Sequence, residues 1–229
     1  AQKAPLGASR EGTLVKLCNI FLMQMKQVIQ IRCKNNKKTQ KVEIGSTLFD
    51  VFSSFDLKMT HGPVSARVNN KVEGMHYRVY NSKDVEFLDM TTASGSRAYT
   101  RTLFFVLCKA VQDIYPATDV VIDIPVSNGF YVDIRLGRPV VDEDVNIIRR
   151  RMQEIIDARM PIRRFTVPTE DAITLFQEKG DVEKVKLLKT SGSIYTTYYK
   201  IGEYVDYYYG TLLTNTSQLY LFGLEKYYD

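Results

Sequence analysis

The sequence predicts an α+β protein of two consecutive domains. Three observations lead there. Over residues 28–88, strand-type segments outnumber a single short helical stretch. At residues 98–114 the apolar period lengthens from 2 to 3.6, which marks a long amphipathic helix. Beyond it, Pro, Gly and Asp or Thr caps cut the chain into short helices alternating with short strands. The length of 229 residues suffices for one large domain or two small ones. At 45% hydrophobic and 25% charged residues, the composition is that of a globular chain and not of a disordered one.

In order along the chain, residues 1–25 lack a pattern. They read as a leader that is non-native or disordered, with the native start at Met23 or Met25. Val28–Cys33 is a strand, Asn35-Asn36 a turn, and residues 39–44 a second strand that alternates polar and apolar residues. Gly45-Ser46 stops it. Ser46 is placed to cap a helix over residues 47–55, in which Leu48, Val51, Phe52 and Phe55 share one face. Residues 64–68 and 85–88 are further strands. Two strands, a helix and further strands describe a β-grasp (ubiquitin-like) fold. Its order, its length and the Gly-Ser-Thr-Leu entry to the helix resemble a TGS domain, here over residues 26–90.

Residues 91–96 are small and polar, a linker. In the long helix, Leu103, Phe104, Val106, Leu107, Ala110, Val111 and Ile114 supply the apolar side, and Pro116 follows its end. Residues 120–124 and 130–134 form a hairpin through Ser127-Asn128-Gly129. Asp142 is the expected N-cap of a helix that reaches residue 159, with Val145, Ile148, Met152, Ile155 and Ile156 inward. A strand over 165–167, a helix over 170–179 capped by Thr169, and strands over 184–189, 194–201 and 204–209 complete the reading.

Charge and chemistry narrow the function. Residues 1–90 carry 14 Lys and Arg against 8 Asp and Glu, and residues 91–229 carry 17 against 18, so the basic surplus lies in the first part. Such a surplus is either a solvated face or a phosphate-contacting one. Cys18, Cys33 and Cys108 have neither metal nor disulfide spacing, which fits a reduced, cytoplasmic compartment. His61 and His76, the only histidines, read as exposed or turn residues. No apolar run approaches the roughly 18–20 residues of a membrane span. The phosphate-binding GxxxxGK[ST] and the GxGxxG, GxSxG and HExxH motifs are absent.

Two segments carry a second resemblance. Asn128-Gly129-Phe130-Tyr131-Val132-Asp133 and Gly202-Glu203-Tyr204-Val205-Asp206 look like parts of the second amino-terminal domain of threonyl-tRNA synthetases. That editing domain, shared with alanyl-tRNA synthetases, hydrolyses mischarged tRNA with an HxxxH pair and a CxxxH pair. The resemblance implies an editing-like α+β domain over residues 97–229, so that the two resemblances together cover nearly everything beyond the leader. Tyr115-Pro116 matches the family's Trp-Pro at the end of the long helix, which puts Arg101 and Phe105 in the HxxxH slots. Tyr208 and Leu212 fall in the CxxxH slots. None can act as imidazole or thiolate, and Arg stays protonated. The expectation is therefore no catalytic residue, no metal and no cofactor in this chain. Lys184 and Asp206 match two other polar members of the family's pocket. With Arg101, Tyr131, Tyr207 and Tyr208 they make up a candidate pocket, in which an Arg101–Asp206 ion pair is expected to close the old site. The tyrosines at 195, 198, 199, 204 and 207–209 are either strand aromatics or the lining of a pocket that stacks a base or ribose. Arg149-Arg150-Arg151 is either a solvated face or a phosphate contact.

The combination also resembles the amino-terminal half of bacterial uridine-kinase-like proteins of the phosphoribulokinase/uridine kinase family, in which a P-loop nucleoside kinase follows. The stretch 224–229 looks like the junction before that kinase. On this resemblance the chain is a non-catalytic, regulatory region that binds a nucleotide, nucleoside or RNA. The ATP-dependent activity would then belong to an in-cis kinase domain outside it. The alternatives are the amino-terminal region of a threonyl-tRNA synthetase-like protein, a tRNA-binding protein with a degenerate editing site, and a free-standing editing hydrolase.

Overall fold

The computed structural model describes residues 27–127 and 129–227, so the leader and the native-start expectation lie outside the described residues. It is an α+β structure with a five-stranded, a three-stranded and a two-stranded sheet. Among the described residues, no helix is long and apolar enough to cross a membrane.

Val28–Cys33 (β1) and Thr39–Glu43 (β2) pair antiparallel and send Ile31, Cys33 and Val42 inward. Helix α1 (Leu48–Ser54) is capped by Thr47, one residue later than expected. Thr47 Oγ1 accepts from Asp50 N–H, and the Asp50 carboxylate accepts from Thr47 N–H, which satisfies donors at both ends of the first turn. Three strands follow: β3 (Ser65–Val68), β4 (Lys71–Gly74) and β5 (Lys83–Leu88). The sheet order is β2-β1-β5-β3-β4, with β1 and β5 parallel and the remaining pairs antiparallel. Strand β4 was not expected, because its four residues are too few to display a period. Leu48, Val51 and Phe55 close one face of the sheet over Ile31, Val68, Val85 and Phe87.

The expected linker is mostly helix. Thr92 Oγ1 accepts from Gly95 N–H and starts α2 (Ala93–Ile114) ahead of the first apolar residue of its stripe. The ribbon β6 (Asp119–Val126) and β7 (Gly129–Arg135) follows. Helix α3 (Asp142–Asp157) begins after Val141, so Asp142 is its first residue rather than its cap. Asp144 does the tethering instead. Its carboxylate accepts two bonds from Arg138, one from Tyr115 OH and one from Val141 N–H. Arg138, then Tyr115 and Val141, hold that carboxyl well below the usual carboxylate range. Thr169 is likewise the first residue of α4 (Thr169–Glu178), after β8 (Arg163–Pro168).

Residues 184–189 form no strand. They belong to helix α5 (Val182–Thr190), because the Asp181 side chain accepts from Lys184 N–H and caps it, with Glu183 favourable in the first turn and Lys189 in the last. Strands β9 (Tyr195–Ile201) and β10 (Tyr204–Tyr207) complete an antiparallel sheet of order β10-β9-β8. The α2, α3 and β9 apolar faces share one core, and α4, α5 and the other face of β10 form a smaller one.

The two parts of the chain meet closely. Val64, just before β3, belongs to the α2–α3 core. His76, half-buried in a turn, donates from Nε2 to the Ile162 carbonyl at 2.8 Å, and burial moves its pKa down. His61 lies in an exposed turn with its ring stacked on Tyr220 at 5.2 Å between centroids.

Candidate functional site

Arg101, Phe105 and Cys108 lie at i, i+4 and i+7 on α2, one face of the helix. Strand β10 brings Tyr204, Asp206 and, just past its end, Tyr208 to that face. Phe105 is wholly buried, and its ring packs against Tyr204 (5.1 Å between centroids), Tyr208 (5.5 Å) and Tyr199 (6.4 Å). Leu212 is 1% exposed in the same core. The four slots that the resemblance singled out are therefore packing positions, apart from Arg101.

Arg101 does not meet Asp206. Its guanidinium turns toward the segment after β10, where Nη1 donates to the Thr211 carbonyl at 3.1 Å. It lies so close to Gly210 that an added Cβ there would sit 2.8 Å from Nη1, and Gly210 has φ +108°, where side chains are disfavoured. The expected ion pair fails because α5 supplies a competing cation that strand-type pairing would have sent elsewhere.

That cation is Lys184. Its Nζ lies 2.8 Å from Asp206 Oδ1 and 2.6 Å from Asp181 Oδ2, and 5.7 Å above the Phe176 ring. Burial alone would lower the Lys184 pKa. Asp206 and Asp181 outweigh it, and the ammonium is held above its ordinary value. Asp206 also accepts from Tyr204 OH at 2.8 Å and from Tyr207 N–H at 2.6 Å. Three donors thus occupy its two oxygens. A carboxylate bound in this way ties β10 to α5 as a structural acceptor.

Cys108, which the sequence reading left out of the site, stands among these groups. Its thiol neighbours the Tyr208 and Tyr204 hydroxyls, and burial, then the Asp206 charge, pushes it up to about 12. The signal for it was present as the i+7 spacing from Arg101. Burial is also the main cause that drives Tyr204 and Tyr208 far above the ordinary tyrosine range. At neutral pH the cluster therefore holds two neutral phenols, a neutral thiol and one saturated ion pair. Because the thiol pKa is raised, its thiolate fraction at pH 8 is about a thousandfold below that of an unperturbed cysteine. We expect iodoacetamide at pH 8 to leave Cys108 essentially unlabelled in the folded protein, as read by peptide mass spectrometry. Labelling at the rate of a free thiol would contradict this assignment.

The other candidate residues lie apart from this cluster or face away from it. Tyr131 is exposed on β7, with its ring edge-on to Tyr227 at 5.9 Å. Tyr207 packs into the α4–α5 core. Of the remaining tyrosines, Tyr198 stacks on Phe165 and Tyr199 is buried, while Tyr195 and Tyr209 are exposed. The strand-aromatic reading thus describes the buried members. In the arginine run, Arg149 donates to the Leu224 carbonyl, Arg151 bridges Asp113 and Glu154, and Arg150 is exposed. Among the described residues, no group of three or more His, Cys, Asp or Glu side chains is placed to hold a metal ion.

No family model matches the chain. It is similar to a threonine–tRNA ligase of Acetivibrio thermocellus, 29% identical over 198 residues that make up 86% of this chain and 31% of that protein. It is also similar to the threonine–tRNA ligases of Clostridium kluyveri (28% over 193 residues; 83% of this chain, 30% of the relative) and Marinobacter nauticus (26% over 181 residues; 79% and 28%). The chain spans about a third of the length of these curated relatives, to which it is homologous over most of its own length.

Proposed function

We propose that this chain is the amino-terminal portion of a threonyl-tRNA synthetase-like protein, and that it holds tRNA without hydrolysing the aminoacyl bond. Homology to threonine–tRNA ligases supports the first half. The sheet order β2-β1-β5-β3-β4 with α1 across one face supports a β-grasp TGS domain over residues 26–90, and the elements from α2 onward support an editing-like domain over residues 97–229. The reading that sets these residues ahead of a uridine or nucleoside kinase draws no support from those relatives.

The observation that carries the second half is the buried Phe105 ring among three tyrosines. It fills with hydrocarbon the place where hydrolysis needs a general base and a held water. Positioned general acid–base groups contribute about 10²–10⁴-fold to such reactions, and here Asp206, Lys184, Tyr204 and Cys108 are committed to one another. The test has two readouts. Fluorescence anisotropy should show binding of a labelled tRNA, and release of serine from seryl-tRNA should stay at the uncatalysed rate. Turnover that disappears in Lys184→Ala would overturn the non-hydrolytic reading, and absence of tRNA binding at low salt would overturn the binding one.

A further inference from the structure

We infer that the β1–β2 hairpin is a docking surface for the phosphodiester backbone of duplex RNA, an inference that rests on the tRNA-binding reading above and assigns its contact face. Arg32, Lys34, Lys37, Lys38 and Lys41 all stand on this one hairpin, and all are exposed. Among the described residues none of the five side chains enters an ion pair or a hydrogen bond, in contrast to Arg138 with Asp144 and Arg151 with Asp113. The nearby acids are few. Asp84 is opposite Arg32 on the adjoining strand β5, and Glu43 lies at the far end of β2. Five cations on one small surface, with Asp84, Glu43 and, next to the Asn36–Phe55 contact, Asp56 as neighbouring acids, leave a net positive field that mobile counterions must neutralise, and phosphates that displace those ions gain their release.

The hairpin is also held rigidly. Asn35 clamps it to β5 with two bonds, donating from Nδ2 to the Phe87 carbonyl at 3.0 Å and accepting from Phe87 N–H at 2.8 Å. Asn36 donates to the Phe55 carbonyl at 3.4 Å and accepts from Lys38 N–H at 3.0 Å. Lys37 sits at φ +60°, a conformation that Gly or Asn would take at less cost. The lysine stems thus leave a fixed platform, so little backbone entropy is lost on binding.

Pairing defines the outward face. Gln30 is opposite Lys41 and Arg32 opposite Thr39, while Ile31, Cys33 and Val42 point inward. Arg32 stands on β1 and Lys41 on β2 of that face, and Lys34, Lys37 and Lys38 lie in the connection between the two strands, so the cations gather at the tip of the hairpin. No aromatic side chain stands on that face. Single-strand binders stack bases on aromatic platforms, whereas a duplex offers its backbone. The arrangement therefore fits sequence-independent contact with duplex phosphates.

The experiment titrates a labelled tRNA transcript and a short labelled RNA stem-loop into the wild-type chain and into the triple variant Lys34→Glu/Lys37→Glu/Lys38→Glu, at several salt concentrations. These side chains are exposed, and unchanged circular dichroism and melting will verify the fold. The expected result is a Kd at least tenfold weaker for both RNAs, with the slope of log K against log salt reduced by about 2–3. Wild-type binding to tRNA with no change in the variant sinks this inference alone and leaves the tRNA-binding reading standing. Absence of wild-type binding sinks both. Vesicles of equal parts phosphatidylcholine and phosphatidylserine serve as the rival polyanion: if the substitutions abolish vesicle binding but spare RNA, the surface belongs to membranes and the inference is wrong.

Discussion

Gly95→Ala is expected to destabilise the protein by about 3 kcal/mol or more, above the usual range for an added methyl in a packed site. A Cβ at this position would lie 1.8 Å from the Asp89 carbonyl oxygen, 2.6 Å from its carbon and 2.9 Å from Val64 Cγ2. Two of these are backbone atoms and cannot swing aside. The Asp89 carbonyl also accepts from Thr92 N–H and from Thr92 Oγ1, so moving it would loosen the start of α2. The damage should fall on the joint between the five-stranded sheet and α2, because Val64 is buried in the α2–α3 core. Urea unfolding measures it, with Gly223→Ala as the control, since nothing lies within 4 Å of a Cβ there. A loss below about 1 kcal/mol at Gly95 would mean that the first turn of α2 can slide, and that the joint is not close-packed.

Asp206→Ala is expected to cost about 2–3 kcal/mol. Removing one member of a buried ion pair typically costs 3–5 kcal/mol, because the survivor is left uncompensated. The figure is smaller here because Lys184 keeps Asp181 and its side chain is 30% exposed, which lets water screen it. The Tyr204 hydroxyl and the Tyr207 N–H would also lose their acceptor. Asp206→Asn should restore part of the loss, because an amide oxygen can still accept from Tyr204. If Asp206→Ala melts like the wild type, the network that joins β10 to α5 contributes nothing, and the filled-site picture must rest on Phe105 alone. Arg101→Ala, in contrast, should leave this network intact, since Arg101 bonds the Thr211 carbonyl and not Asp206.

Much of the fold was legible because local rules decide it. The 3.6 period of α2 and the inward positions of α3 match the structure, while the alternation in residues 39–44 holds through Val42 and fails at Ile44, which lies past the end of β2 and is exposed. The misread segment is instructive. Val185, Leu187 and Leu188 in residues 184–189 do not separate a short strand from a short helix, and the Asp181 cap just outside the window decides for helix. The caps of α1, α3 and α4 shifted by one residue: at α1 Thr47 displaces its neighbour Ser46, whereas α3 and α4 start one residue early, behind Val141 and Pro168, which make no side-chain cap bond.

By itself the sequence determined that the four slots at 101, 105, 208 and 212 hold no imidazole or thiolate, since that follows from residue identity alone. It determined equally that the basic surplus lies in the first 90 residues. Only the tertiary structure decided what surrounds those four positions. Whether Asp206 would meet Arg101 or Lys184 depended on α5 being a helix that packs beside β10, and Cys108 joined the cluster only because α2 and β10 face each other. Such pairings join residues 22 to about 100 positions apart. Periodicity and capping act over one or two turns, so they can set each partner's element but not which partners meet.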